Sequence, residues 1–261
     1  MEVIHLARPR TTLVVQGTTR LTEHLIRVHL GGPGFETFQP NAFTDAYVKL
    51  LFPGPGGEVT RTYTVRAVDP EAKQIAIDFV YHGEEGVAGP WAATAQPGDS
   101  IDLFGPGGAY APRPDADWHL FAGDESALPA IAAACAALPA DAVGRVFIEI
   151  DGPADELDFE RPDAMELTWV HRGETAPGER LAAAVLAEPW RDGQVQVFIH
   201  GEAQAVMHQL RPYIRKERGV TAEWASSISG YWRRGRTEEG FRQWKSELAD
   251  REQAVSAATN R

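Results

Sequence analysis

Near residue 118 the hydrophobic period of this 261-residue chain changes, and the change limits the folds open to it. Before that point apolar side chains recur at every second position: Ile26, Val28 and Leu30; Ile75, Ile77, Phe79 and Tyr81; Ile101 and Leu103. A strand's side chains alternate between its two faces, so this spacing predicts half-buried strands. Tyr47–Phe52 is a shorter, more buried run, and Gly/Pro stretches such as Phe52-Pro53-Gly54-Pro55-Gly56-Gly57 supply turns. Residues 11–104 therefore predict a closed or sandwiched β-domain. Beyond it, strands at Trp118–Ala122, Arg145–Ile150, Glu166–Val170 and Val195–Ile199 alternate with helices at Ala127–Leu138, Glu179–Ala187 and Glu202–Glu217. That alternation predicts a parallel sheet with helices on its faces. Two domains are expected, 1–115 and 116–261, joined by a linker at Gly105–Asp117.

Charge and cysteine content narrow the chemistry. Asp+Glu number 37 against Lys+Arg 25, a net charge of −12, which disfavours nucleic-acid binding. The single cysteine, Cys135, excludes an internal disulfide, a zinc ribbon and a cluster held by this chain's thiolates. No apolar run is long enough to predict a membrane span, and Met1–Arg10 lacks the core of a signal peptide, so a cytoplasmic protein is expected. The eight histidines show no H-x-x-x-H spacing, and no metal site is predicted. A monomer is expected.

Three segments can carry chemistry. On a strand, Arg61 and Tyr63 of Arg61-Thr62-Tyr63-Thr64 share one face. A guanidinium there can hold a pyrophosphate, an aromatic ring can lie on a flavin, and Thr64 can hydrogen-bond the flavin edge. An ordinary strand with a surface arginine carries the same string. The second segment runs from Asp78 through Tyr81-His82-Gly83 to Gly89-Pro90-Trp91-Ala92, a strand end followed by a glycine-bearing loop and a short helix start suited to phosphate. A tight turn with a core tryptophan is its plain alternative. The third, Gly123-Asp124-Glu125-Ser126, lies between a strand and a helix, where open α/β sheets bind ligands; a helix start capped by Asp or Ser fits equally. No G-x-G-x-x-G follows a strand, and Gly105-Pro106-Gly107-Gly108 reads as linker. Thr237–Asp250 carries charges at helical spacing and predicts a terminal helix, either surface packing or a cover over the flavin site or a partner contact.

Together these segments resemble the siderophore-interacting protein family, flavin-dependent ferric-siderophore reductases. The resemblance runs through Tyr47-Val48-Lys49-Leu50, Arg61–Arg66, Asp78–Gly83, Trp91-Ala92, Pro97-Gly98-Asp99, Gly123–Ile131, Gly201-Glu202 and Gly230-Tyr231-Trp232-Arg233-Arg234-Gly235. It implies a ferredoxin-reductase-like chain: an N-terminal antiparallel Greek-key β-barrel, then a Rossmann-like α/β domain with a parallel sheet. It implies FAD held by Arg61, Tyr63, Thr64, Asp78, Val80, His82, Gly83, Ala88, Gly89 and Trp91. It implies NAD(P)H or reduced ferredoxin as donor, with Gly123, Asp124, Glu125, Ser126, Gly201 and Glu202 on the nicotinamide side. The substrate would be a ferric siderophore, its iron released as Fe(II), with no general acid or base required. Lys49 interrupts an apolar run, and Arg233 and Arg234 follow Tyr231-Trp232; in a chain of net charge −12 these cations are the expected docking patch for an anionic ferric complex. Pairing of the arginines with Glu238 and Glu239 is the alternative. A generic flavin-dependent electron-transfer reductase and a non-catalytic siderophore carrier are the competing functions.

Overall fold

The computed structural model describes residues 9–248 apart from 55, 242 and 245. Seven strands form the first sheet: β1 (Arg10–Arg20), β2 (Leu25–Gly31), β3 (Tyr47–Gly54), β4 (Gly57–Thr64), β5 (Ala67–Asp69), β6 (Gln74–Val80) and β7 (Ser100–Gly107). They lie in the order β4-β3-β7-β1-β2-β6-β5, every pair antiparallel. The sheet curls until β4 lies against β6 with no ladder between them. Side chains close that seam: the rings of Tyr63 and Phe79 stand 4.4 Å apart. Helix α1 (Ala88–Thr94) plugs the curl, its Trp91 ring 5.6 Å from Phe52 and 5.5 Å from Phe79.

The second sheet has five parallel strands: β8 (Trp118–Asp124), β9 (Gly144–Ile150), β10 (Met165–His171), β11 (Val195–Glu202) and β12 (Ser227–Trp232), in the order β10-β9-β8-β11-β12. Helices α2 (Leu128–Ala136) and α3 (Glu179–Ala187) cover it. Helix α4 opens at Ala203–Ala205 and continues through wide π-type turns at Val206–Leu210 and Tyr213–Glu217. A terminal helix opens at residue 238. No helix among the described residues is long and apolar enough to cross a membrane.

The structure departs from the sequence expectations in three places. Gly105–Gly107, read as linker, is the end of β7, where Gly107 pairs with Tyr47. Strand β12 was expected only as a motif block, not as a fifth strand. Glu202, expected as the first residue of a helix, ends β11 and caps α4 from outside it.

One hydrophobic core fills the curled sheet, around Phe52, Phe79, Leu50 and Leu103. A second lies between α3, α4 and the parallel sheet. The third, under α2, also takes in Leu25 and Val80 from the first sheet and Leu21 from its β1–β2 turn, so the two sheets share buried apolar surface.

Candidate functional site

Strand β4 presents two kinds of donor. Arg61 and Tyr63 face the seam, while Thr62 lies on the opposite face, paired in register with Lys49 of β3. The Arg61 guanidinium donates to Thr60 O at 2.8 Å and to the Glu239 carboxylate at 2.7 Å. Thr62 donates to Glu238 twice, from its backbone N–H at 3.2 Å and from its hydroxyl at 2.9 Å. The start of the terminal helix thus places two carboxylates on this edge. Burial pushes the Tyr63 phenol up, Glu238 adds to the rise and Arg61 opposes it, so the ring stays neutral. Thr64 ends the strand, buried.

The next candidates divide between faces. Phe79 points into the curl, so Asp78 and Val80 point away from it. Arg27 holds the Asp78 carboxylate in a two-point pair, at 2.6 and 2.8 Å, and Val80 packs into the core shared between the sheets. Neither side chain reaches the Arg61–Tyr63 face. Trp91 is also committed to packing, within the curl. Ala88 and Gly89 are buried, and a Cβ at Gly89 would come 3.0 Å from Val80 O, so glycine lets α1 approach β6. The loop between them is different. Gly83 has a left-handed φ of 68° with open space around it. His82 precedes it, 6.2 Å ring to ring from His24. Burial lowers the His82 pKa, and the nearby cations His24 and Arg172 lower it further.

The nicotinamide-side candidates converge at the C-terminal ends of β8 and β11, the adjacent strands where the sheet order reverses and open α/β sheets form a ligand crevice. Here the crevice is knotted by carboxylates. Asp124 accepts from the Ser126 N–H and hydroxyl, from Glu202 N–H at 2.9 Å and from the Trp232 indole at 2.7 Å. Gly201 has φ 143°, and a Cβ there would lie 2.6 Å from Asp124 Oδ2. At Gly123 it would meet Ala127 at 2.5 Å. Glu202 caps α4 through Gln204 and Ala205 and also accepts from Arg234 N–H at 3.2 Å. Glu125 is bound by Arg172 at 2.6 Å, and Arg172 reaches Glu149 at 3.0 Å. Burial raises the Asp124 pKa; at Glu125 burial and the Asp124 charge outweigh Arg172 and push the carboxyl up to about 7. The capped helix start takes another form than expected, because α2 is preceded by Ala127 with no side-chain cap.

Lys49 is half-buried and forms no ion pair among the described residues. The Arg233 guanidinium stacks over Trp244 at 4.2 Å, with one terminal nitrogen buried and without a hydrogen bond. Arg234 is exposed. Glu238 accepts from Thr62 and Glu239 from Arg61. Lys49 and Arg233 are linked through intermediaries: Lys49 to Thr62, Thr62 to Glu238, and along the terminal helix to Trp244.

Spacing could not reveal the contacts made between distant segments, such as Arg27 with Asp78 and His24 with Asp155. Comparison with known proteins gives a consistent result. Residues 14–60 and 57–110 match the siderophore-interacting FAD-binding domain, and 116–235 match the siderophore-interacting protein profile. An uncharacterized protein of Mycobacterium tuberculosis is 56% identical, covering 94% of this chain and 98% of its own. The ferric vibriobactin reductase ViuB of Vibrio cholerae is 32% identical over 89% of this chain and 92% of its own. A siderophore utilization protein from T. fusca superposes with a TM-score of 0.80 at 36% identity, covering 88% of this chain and 94% of that one. A ferredoxin NADP+ reductase from Neisseria gonorrhoeae shares the fold, with a TM-score of 0.60 at 16% identity and coverage of 78% and 90%.

Proposed function

The chain belongs to the siderophore-interacting protein family, and from that membership we propose that it is an FAD-dependent reductase of ferric siderophores. The observation that carries the reading is the donor edge of β4. There a guanidinium and a backbone N–H already bind anionic groups, beside an aromatic ring at the sheet's seam. These residues fit FAD: Arg61 and the Thr62 N–H suit its phosphates, and Tyr63 suits its ring system. The open, left-handed Gly83 lets the loop backbone approach a ligand without a side chain intervening. When bound, FAD supplies the redox chemistry, taking electrons from NAD(P)H or reduced ferredoxin and giving them to iron.

The protein's own contribution is orientation and charge. Lys49 and Arg233 supply cations toward an anionic ferric complex that a net charge of −12 would otherwise repel. The crevice at β8 and β11 is the proposed nicotinamide side. Its side chains are largely spent on one another: Asp124, Glu125, Glu149 and Glu202 are all buried there, with Arg172 pairing two of them. Dinucleotide phosphates would meet carboxylates at that floor, so a nicotinamide must approach over backbone rather than through these acids. We place the protein in the cytoplasm, where such donors are found.

Anaerobic stopped-flow mixing of photoreduced, FAD-loaded protein with a panel of ferric siderophores tests the reading. Flavin absorbance should return with at least one of them. Apoprotein that fails to take up FAD overturns the proposal. Uptake without reoxidation by any ferric siderophore overturns the reductase assignment in favour of electron transfer to another acceptor or a carrier role.

A further inference from the structure

We propose that His24, Asp151 and Asp155 form a binding site for a first-row divalent cation at the junction of the two sheets. His24 lies in the turn between β1 and β2; Asp151 and Asp155 lie in the segment that follows β9. Nothing in their spacing joins positions 24, 151 and 155; only the docking of the sheets does. One donor atom from each falls within 4.8 Å of the others, and His24 Nδ1 is 2.9 Å from Asp155 Oδ2. First-row cations bind imidazole nitrogen and carboxylate oxygen at roughly 2.0–2.2 Å, which sets neighbouring donors about 3 Å apart. The His24–Asp155 edge already has that spacing, and Asp151 is exposed and free to close on it.

An ion pair between His24 and Asp155 alone leaves something unexplained. Asp155 is 5% exposed, yet its second oxygen, Oδ1, is shut off from solvent and accepts no hydrogen bond from the described residues. The Thr22 hydroxyl and the His24 backbone N–H lie near the carboxylate, but neither reaches Oδ1 in bonding geometry. A buried, charged oxygen with an unmet lone pair is costly, and a cation meets it. Charge agrees: two carboxylates face one imidazole, a surplus that a dication neutralises. Asp151 forms no ion pair among the described residues.

The donor set selects the ion. One nitrogen and two carboxylates, with positions left for water, suit Zn2+ or Fe2+ better than Ca2+ or Mg2+, which favour all-oxygen sites. The site backs directly onto the proposed flavin loop, because Tyr81 N–H donates to His24 O at 2.8 Å and His82 follows. On the reductase reading, and resting on it, the ferrous product is the ion at hand.

Calorimetric titration of tag-free, FAD-loaded protein with Zn2+, and anaerobically with Fe2+, tests the site, with Ca2+ as the control. One equivalent of Zn2+ should bind with a micromolar dissociation constant, and Ca2+ should not compete. His24→Ala and Asp155→Asn should each weaken Zn2+ by about tenfold or more, and Asp151→Asn by severalfold with the thermal midpoint of the metal-free protein unchanged. Absence of saturable Zn2+ binding overturns the proposal, as does unchanged affinity in Asp151→Asn and Asp155→Asn. Should Asp155→Asn fail to fold, the Asp151→Asn result decides alone. Zn2+ binding with failed Fe2+ binding overturns the ferrous assignment only. No siderophore or electron donor enters this assay, so its outcome is separate from that of the reductase test.

Discussion

Glu238 accepts two hydrogen bonds from Thr62, at 3.2 Å from the backbone N–H and 2.9 Å from the hydroxyl. With Glu239 on Arg61, it occupies the donors that β4 would offer to flavin phosphates. The terminal segment and the cofactor therefore draw on one edge. The double substitution Glu238→Gln, Glu239→Gln should tighten FAD binding. Partly exposed pairs of this kind contribute about 0.2–1 kcal/mol each, so for the two together a roughly two- to thirtyfold fall in the dissociation constant is expected. Flavin-fluorescence titration of apoprotein measures it. An unchanged constant would mean that the carboxylates do not compete.

Tyr63 has two roles that separate by substitution. Its ring packs against Phe79 across the seam, 4.4 Å away, and faces the proposed flavin position. Tyr63→Phe keeps the ring and should retain FAD and stability. Tyr63→Ala removes it, and should lower stability by about 2–4 kcal/mol in urea unfolding while weakening FAD retention. Equal FAD retention in both variants would remove the ring from the cofactor site.

Lys49 supplies charge and forms no ion pair among the described residues. Lys49→Ala should weaken ferric tris-catecholate binding by about tenfold, or 1.4 kcal/mol, at low salt. The loss should shrink as salt rises, and the flavin spectrum should not change. Arg233→Ala should have the larger effect of the two C-terminal arginines, because its buried nitrogen lacks a hydrogen bond whereas Arg234 is exposed. Dissociation constants within about twofold of wild type for both Lys49→Ala and Arg233→Ala would move the patch elsewhere.

Glu125 makes the fold sensitive to pH in a direction opposite to most carboxylates. Burial and the neighbouring Asp124 charge raise its pKa to about 7, above its value in the unfolded chain. The folded state then holds the proton more tightly, so Glu125 favours folding in acid and loses that contribution as pH rises toward 7. Glu125→Gln should gain thermal stability relative to wild type between pH 5 and pH 8. Melting curves that shift in parallel across this range would count against the raised pKa.

Where burial alternates along the chain, the sequence was enough. Helix α3 occupies the residues expected, Glu179–Ala187, and the strands around Val28 and Leu103 follow their period, whereas β6 is buried on both faces from Ile75 to Phe79. Strand β12 escaped notice because Ser227-Ile228-Ser229-Gly230 offers little apolar alternation; it is held by its ladder to β11, a partner far away in sequence. For the same reason β8 and β11 run past their apolar segments into Asp124 and Glu202, whose burial depends on donors from Ser126, Trp232 and α4. The Arg61-Thr62-Tyr63-Thr64 motif was legible as strand and ligand chemistry, but the acids that meet it come from position 238 onward.

The Asp124–Trp232 bond also fixes a position. Trp232 ends β12 with its indole pinned at 2.7 Å, and the chain has only residues 233–237 in which to reach β4 and begin a helix. Those residues form a turn and coil, so one residue added to or removed from the tether would displace the start of the terminal helix by up to about 3.8 Å, carrying the carboxylates of Glu238 and Glu239 off Thr62 and Arg61 without altering a single side chain on either strand.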